Sequence, residues 1–292
     1  MFIVSVIKEI VKLLLCFFEQ DEKKFSKFPY LNRYKGQKAV VAGNGPSMNI
    51  LLEKYEKGEI DLDSNVFFVN MAPLSPWFYK IKPKHLCLSD FVFARDTEGR
   101  TESVRRMYDL LEHQVDWELT IYLGFTRKQY GKELIKYSRI TNPNIHFVFL
   151  NRKHCSNLCT PLRHILYKKG LFMPEEGTVV NTAIYVALIE GYQEIDLYGI
   201  EHNMFLNLCM NKDHKLCIRE KNFYDNSWSL RPVNNDYSGS RSYIHDYMSF
   251  ICIMFKSHYL LHQFADYLGA KIYNCTPGSM VDVYDYKDTL SK

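Results

Sequence analysis

The sequence predicts an α/β fold: a Rossmann-like, mainly parallel sheet flanked by helices, with a lid region and an amino-terminal amphipathic helix. Three observations predict it. First, Lys38–Ala42 (KAVVA) is a short β-branched run that passes at once into Gly43-Asn44-Gly45-Pro46-Ser47 and then into the helical pattern MNILLEKYEKG. Strand, tight glycine turn and helix in direct succession open a nucleotide-binding α/β unit. Second, short apolar strands alternate with helical stretches along the chain, the spacing of parallel strands joined by right-handed crossovers. Third, residues 177–190 (GTVVNTAIYVALIE) read as a strongly apolar helix ending at Gly191. They are followed by the strand Glu194–Tyr198, which ends at Gly199.

The elements follow in order. Ile3 to Phe18 is apolar except for Ser5, Lys8, Glu9 and Lys12, which share one helical face. A membrane-spanning helix needs about 20 apolar residues, and a signal peptide carries its charges before the apolar stretch, so neither fits. Two readings stay open: an interfacial helix on the inner membrane leaflet, helped by Lys23, Lys24 and Lys27, or a helix packing on its own domain or on a second subunit of a homo-oligomer. The chain divides into this leader, residues 1–35, and a nucleotide-binding domain, residues 36–292. Within the domain, strands are expected at 65–70, 84–89, 118–123 and 145–150, and a helix at 101–113. Residues 203–242 are polar and aromatic with weak periodicity, the composition of a lid or binding loop. A long helix from about Ile244 to Leu268, a last strand KIYNC and a turn TPGS complete the chain.

Composition narrows the function classes. The 292 residues are 47% hydrophobic and 24% charged, which excludes disorder as the main state. A net charge of +4 is too mild for a nucleic-acid partner. The eight cysteines, in a chain of this size, read as reduced cytoplasmic thiols rather than a disulfide scaffold. Aromatics reach 15%, with 21 tyrosines, and tyrosine brings apolar area with a polar tip, as wet binding clefts require. His154-Cys155 with Cys159, and Cys209 with His214 and Cys217, do not match zinc-module spacing, so no metal is predicted. A Walker A loop and a GxSxG elbow are both absent.

Ligands of parallel sheets bind at the carboxyl ends of the strands. Those ends carry Asn44, Asn70, Asp90 and Glu201. The glycines of Gly43–Ser47 let the backbone approach a phosphate or sugar, and the helix start behind them favours an anion; a bare strand-to-helix turn is the alternative. Ser47 or Asn44 would cap that helix. Thr178 and Asn181 mark a second helix start suited to a phosphate or carboxylate. His245, in Arg241-Ser-Tyr243-Ile-His245-Asp246, has the chemistry of a general base, oriented by Asp246 or Asp236; a capping or surface histidine is the alternative.

Taken as a set, these pieces resemble the bacterial lipooligosaccharide sialyltransferase family. Its members open with a strand and a Gly-Asn-Gly-Pro-Ser turn, here Val40 to Ser47, and carry an Asn at the end of the second strand, here Asn70. Mid-chain they have a Gly-Tyr-x-Glu-Ile strand and a Gly-Ile-Asp/Glu turn, here Gly191–Ile195 and Gly199–Glu201. A lid, a catalytic His after Tyr-Ile (Tyr243-Ile244-His245) and a late strand ending in Cys-x-Pro (Cys275-Thr276-Pro277) follow. The order agrees from Lys38 to Ser279. Capsule-cluster proteins and archaeal pterin pyrophosphokinase-like proteins are more loosely similar in the first and mid-chain motifs.

The resemblance implies an inverting transferase of surface-polysaccharide (lipopolysaccharide or capsule) assembly with a CMP-activated sugar as donor, a glycan or glycolipid acceptor, and no cofactor or metal. It would work in the cytoplasm, peripheral at the inner face of the membrane. Asn44 and Asn70 would contact the nucleotide and its phosphate, and His245 would take the acceptor's proton. Lid tyrosines would stabilise the leaving phosphate; Tyr224 and Tyr243, with Tyr237, are the candidates. Three departures fall on the leaving-phosphate and donor-sugar contacts. Asn203 stands where the family has Tyr, Glu176-Gly177-Thr178-Val179 replaces Arg-Ile-Thr-Ser, and the helix after His245 is longer. Two rivals remain: an ATP- and magnesium-dependent pyrophosphokinase of a pterin-like alcohol, using Asp90, Asp96 and Glu201, and a non-catalytic partner in a polysaccharide complex.

Overall fold

A computed structural model describes Ile10, Val11, Leu14 and residues 27–60, 62, 65–95, 101–124, 133–134, 136–155, 158–221, 228–234 and 242–287. In chain order the elements are β1 (Lys38–Ala42), α1 (Met48–Glu56), β2 (Val66–Val69), α2 (Pro76–Ile81), β3 (His85–Leu88), α3 (Thr101–Gln114), β4 (Leu119–Leu123) and β5 (Ile145–Phe149). They continue with α4 (Thr160–Lys168), α5 (Val179–Glu190), β6 (Glu194–Tyr198), β7 (Leu208–Met210), β8 (Leu216–Lys221), β9 (Trp228–Pro232), α6 (Ile244–Leu268), β10 (Lys271–Asn274) and β11 (Asp285–Tyr286).

Eight strands form one sheet in the order β11-β10-β6-β1-β2-β3-β4-β5, and every pairing in it is parallel. The strand pleat sorts side chains to two cores. Val41, Phe67, Val69, Cys87 and Tyr122 pack on α4, α5 and α6, while Ala42, Val66, Phe68, Leu86 and Ile121 pack on α1, α2 and α3. The result is the expected three-layer α/β architecture. The chain reverses its direction of travel between β1 and β6, which pair with Val40 opposite Asp196, so their carboxyl ends form the topological switch point.

All twelve residues of α5 are buried, because the helix lies between the sheet and α6. Close approach requires a glycine at its start: a Cβ on Gly177 would meet the Met254 backbone of α6 at 2.6 Å. The helix stops at Gly191 in the left-handed region (φ 94°), as glycine C-caps do. Helices α2 and α4 and strand β11 were not anticipated. α2 is a single Pro-initiated turn whose Ser75 Oγ accepts a hydrogen bond from the Trp77 N–H.

The 203–242 stretch departs from a loop. It contains the antiparallel sheet β7-β8-β9, with Leu216, Ile218 and Val233 buried against Leu208 and Tyr247 of α6. Residues 27–37, read from sequence mostly as leader, pack on the body. Phe28 stacks on Tyr122, Tyr34 stacks on Tyr192, and the Asn32 and Tyr34 N–H groups donate to the Ile189 and Glu190 carbonyls at the end of α5.

Beneath that strap, at the amino ends of the strands, His85 and Glu190 are fully buried and 3.7 Å apart. Tyr122 donates to Glu190 Oε1 at 2.5 Å. Burial pushes the Glu190 carboxyl up to about 8, against the lowering by Tyr122 and Arg33, and holds His85 well below its usual range. At neutral pH the two are therefore a neutral pair rather than an ion pair. The described cysteines are all free thiols. Among the described residues no helix is long and apolar enough to cross a membrane.

Candidate functional site

The glycine turn is built by interlock with the turn after β6. Gly43 N–H donates to the Tyr198 carbonyl at 2.8 Å and Gly45 N–H to the Gly199 carbonyl at 2.9 Å. A Cβ on Gly43 would lie 2.2 Å from the Gly199 oxygen, and one on Gly45 would lie 1.5 Å from Glu201 Oε2. Both glycines are thus required by contact with the neighbouring strand end. Pro46 follows in the turn, and its carbonyl accepts from Asn49.

Ser47 occupies the N-cap position of α1, but its side chain makes no capping bond. Glu201 supplies the cap instead: its Oε1 accepts from the Ser47 N–H at 2.7 Å. A carboxylate there also complements the positive end of the helix. This cap comes from more than 150 residues downstream, so local sequence carries no signal for it.

Asn44 reaches across to β2, its Nδ2 lying 3.5 Å from the Val69 carbonyl. Asn70 holds a left-handed backbone (φ 50°), which asparagine tolerates better than most residues. Its Nδ2 donates to Asp90 Oδ2 at 3.2 Å. Asn44, Asn70 and Asp90 line one cavity of about 450 Å³, together with Ser103 and the apolar Met71, Leu74, Val92 and Phe93. An apolar wall with a few polar groups suits a flat heterocycle bearing hydroxyls. A second cavity, about 340 Å³, lies at the opposite end of the sheet and includes Lys35 and Lys168. Helices α4, α5 and α6 all end there, and the lysines offset their negative ends.

At the start of α5, Thr178 is an extended N-cap without a side-chain bond. Asn181 is 1% exposed, and neither its Nδ2 nor its Oδ1 has a partner. Thr182 Oγ1 lies 3.2 Å from Ser89 Oγ, which places this helix start beside the end of β3 and next to Asp90. The preceding Glu176 pairs with Arg152 and has His154 at 3.7 Å.

Four of the sequence-named residues share one further property. Ser47 Oγ, Asn70 Oδ1, both Asn181 amide atoms and Glu201 Oε2 are buried without a hydrogen-bond partner. Buried polar atoms are nearly always paired; these exceptions lie at the carboxyl ends of the strands, while others among the described residues, such as Tyr79, Arg163, Tyr167 and Glu190, lie elsewhere in the fold. Sequence reasoning missed a neighbour of this group. His202 has φ 48°, and burial lowers its pKa to about 4. Its ring lies 5.2 Å from that of His258, whose Nδ1 is 3.1 Å from the Tyr284 hydroxyl.

His245 stands apart. It sits at the first turn of α6, largely exposed, with Nε2 3.1 Å from Asp246 Oδ1 and its ring stacked on Tyr243. Asp246 also accepts from the Tyr243 N–H at 3.1 Å, closing a capping box. Neither His245 nor Tyr243 lines the 450 Å³ cavity. Tyr224, Tyr237, Asp236 and Asp96 lie outside the described residues. Among the described residues no group of three or more His, Cys, Asp or Glu converges to hold a metal ion.

No family model and no curated protein matches the chain. Among solved structures, it is similar to the MAf glycosyltransferase from Magnetospirillum magneticum AMB-1, with 12% identity and a TM-score of 0.46 over 91% of this chain. The match spans 35% of that protein's length. It is also similar to the sialyltransferase CstII from Campylobacter jejuni in complex with the substrate analogue cytidine-5'-monophosphate. That match has 16% identity, a TM-score of 0.40, and coverage of 85% of this chain and 84% of that one. The CstII complex with CMP-3FNeuAc gives the same identity and TM-score, covering 86% and 84%.

Proposed function

We propose that the chain is an inverting, metal-independent glycosyltransferase that moves sialic acid or a related acidic sugar from a CMP donor to a glycan or glycolipid acceptor. The observation that carries this reading is the strand-end cavity lined by Asn44, Asn70 and Asp90, with unpartnered buried polar atoms of Ser47, Asn70, Asn181 and Glu201 at the same strand ends. Such atoms are costly unless a ligand or water satisfies them. Of these residues, Asn44, Ser47, Asn70 and Glu201 lie in the sequence motifs that resemble the sialyltransferases.

In this reading the cytidine occupies the cavity, with Asn44, Asn70 and Asp90 as its polar contacts. The α5 start, with Thr178 and Asn181, faces the acidic group of the donor sugar. His245, held through Nε2 by Asp246, takes the proton of the acceptor hydroxyl as that oxygen attacks the anomeric carbon. CMP departs from the opposite face with the bonding electron pair. The lid tyrosines, Tyr243 and Tyr224, donate hydrogen bonds to the leaving phosphate. The protein works at the inner face of the cytoplasmic membrane, where lipid-linked acceptors are assembled.

Thermal shift with CMP, UDP, GDP and ATP tests the donor, since a ligand raises stability once it exceeds its dissociation constant. A shift with ATP alone sinks the reading. Sugar transfer that survives EDTA and is lost in His245→Ala supports the roles given. Full turnover in His245→Ala removes the base.

A further inference from the structure

We infer that the lid sheet and the projecting start of α6 form a docking surface for an anionic membrane, at the same end of the molecule as the candidate active site. The inference rests on the proposed glycolipid acceptor and deepens it. Helix α6 is buried from Ile251 onward along one face, through Met254, His258, Leu261 and Ala265. Its first two turns, Ile244–Phe250, span about 11 Å and are exposed nearly all round. Among the described residues, Tyr247 anchors them against the buried side of the lid.

Large apolar side chains collect on these exposed parts. Leu206 (64% exposed) follows β6, Leu230 stands on the outward face of the lid sheet, and Ile244, Met248 and Phe250 stand on α6; Met210, also exposed, stands at the sheet edge opposite Leu216. Single exposed apolar residues are ordinary, but a concentration at one end marks an interaction surface. Among the described residues the lid carries exposed Lys212, Lys215 and Arg219 with the acid Asp213 beside them, and Asp246 is exposed at the start of α6; Arg231 stands opposite buried Ile218, on the other face of the lid sheet from Arg219. Arg219 is the cross-strand partner of Leu230, so a cation and an apolar side chain sit together on one face. Apolar side chains among cations are the pattern of a surface that enters the headgroup layer of an anionic bilayer. A second copy of the chain would bring the same cations against themselves, which disfavours a dimer through this face.

Sedimentation of the full chain with vesicles tests the inference. The protein is expected to pellet with phosphatidylglycerol-containing vesicles and much less with pure phosphatidylcholine. Leu230→Asp combined with Met248→Asp should weaken partitioning by about tenfold or more, with an unchanged melting temperature and an unchanged CMP thermal shift. Arg219→Glu alone should weaken binding to the anionic vesicles only. The inference is overturned if the wild-type chain stays in the supernatant or the double variant pellets like wild type. It is equally overturned if Ile10→Asp in the leader abolishes binding, or if the lid substitutions instead dissociate a dimer. Vesicle binding without CMP binding would leave the surface standing and remove the transferase reading.

Discussion

The carboxylate of Glu201 caps the helix that begins at Ser47, accepting its backbone N–H at 2.7 Å. The two residues lie on adjacent strand ends, β6 and β1, and the bond fixes the glycine turn against the turn that follows β6. The second carboxylate oxygen faces the space where a Gly45 side chain would stand.

Glu201→Ala should therefore leave a half-buried N–H without a partner and cost about 1–3 kcal/mol. Glu201→Gln keeps an acceptor oxygen and should retain most of that stability. Urea unfolding of the three proteins checks the order. Equal midpoints for Ala and wild type would show that the cap contributes nothing.

Gly43→Ala should be worse tolerated than Gly58→Ala. The added methyl at position 43 meets a backbone oxygen at 2.2 Å, whereas at position 58 (φ +69°) there is open space. Only the left-handed backbone penalty of about 1–2 kcal/mol applies at position 58. The steric conflict at position 43 should cost more and should also displace the turn. The expected readout is a lower melting temperature together with a lost nucleotide shift.

Asn70 combines two roles that substitution can separate. Asn70→Gly keeps the left-handed backbone, and Asn70→Ala strains it by about 1 kcal/mol or more. Both lose the bond to Asp90. The glycine variant should be the more stable of the two, while both should bind CMP more weakly than wild type. Equal CMP affinity in the glycine variant would take Asn70 out of the binding site.

Glu190 should give the protein a stability that falls as pH rises. Its folded pKa of about 8 lies above the ordinary 4.5. Between those values the folded chain holds a proton that the unfolded chain has released. The unfolding free energy from this group then declines by about 1.4 kcal/mol per pH unit across that window. Glu190→Gln mimics the protonated carboxyl and should remove the decline. Urea unfolding at pH 5.5 and 8 should show the variant gaining on wild type at the higher pH. A difference that does not move with pH would refute the raised pKa.

Periodicity and glycine punctuation carried most of the fold. β1 to β6 and α5 are dense apolar runs bounded by turn residues, and α6 has a 25-residue pattern that begins and ends where expected. α2 was missed because six residues make under two turns, too short for a period to register. The lid sheet was missed because its strands are short and β8 reads as a block, the buried Leu216-Cys217-Ile218 followed by Arg219-Glu220-Lys221, which hides a two-residue alternation. In the site, Gly43–Ser47, Asn70 and Asp90 were legible because strand ends are predictable from strands. The neighbourhood of His202 and His258 was not. It joins a turn after β6 to the middle of α6, and nothing local in either segment marks the meeting.

Among the described residues the lid sheet stands on Leu216, Ile218 and Val233, with Cys217 also buried, while the body closes over two extensive cores. So small a footing makes the lid a separate cooperative unit with a low opening free energy. Backbone amides of β7 to β9 should exchange with solvent long before those of α5, without the rest of the chain loosening. A ligand held between lid and body would then be detected as slowed exchange confined to residues beyond Glu201. Occupancy of the molecule could be read from the lid while the sheet stays silent.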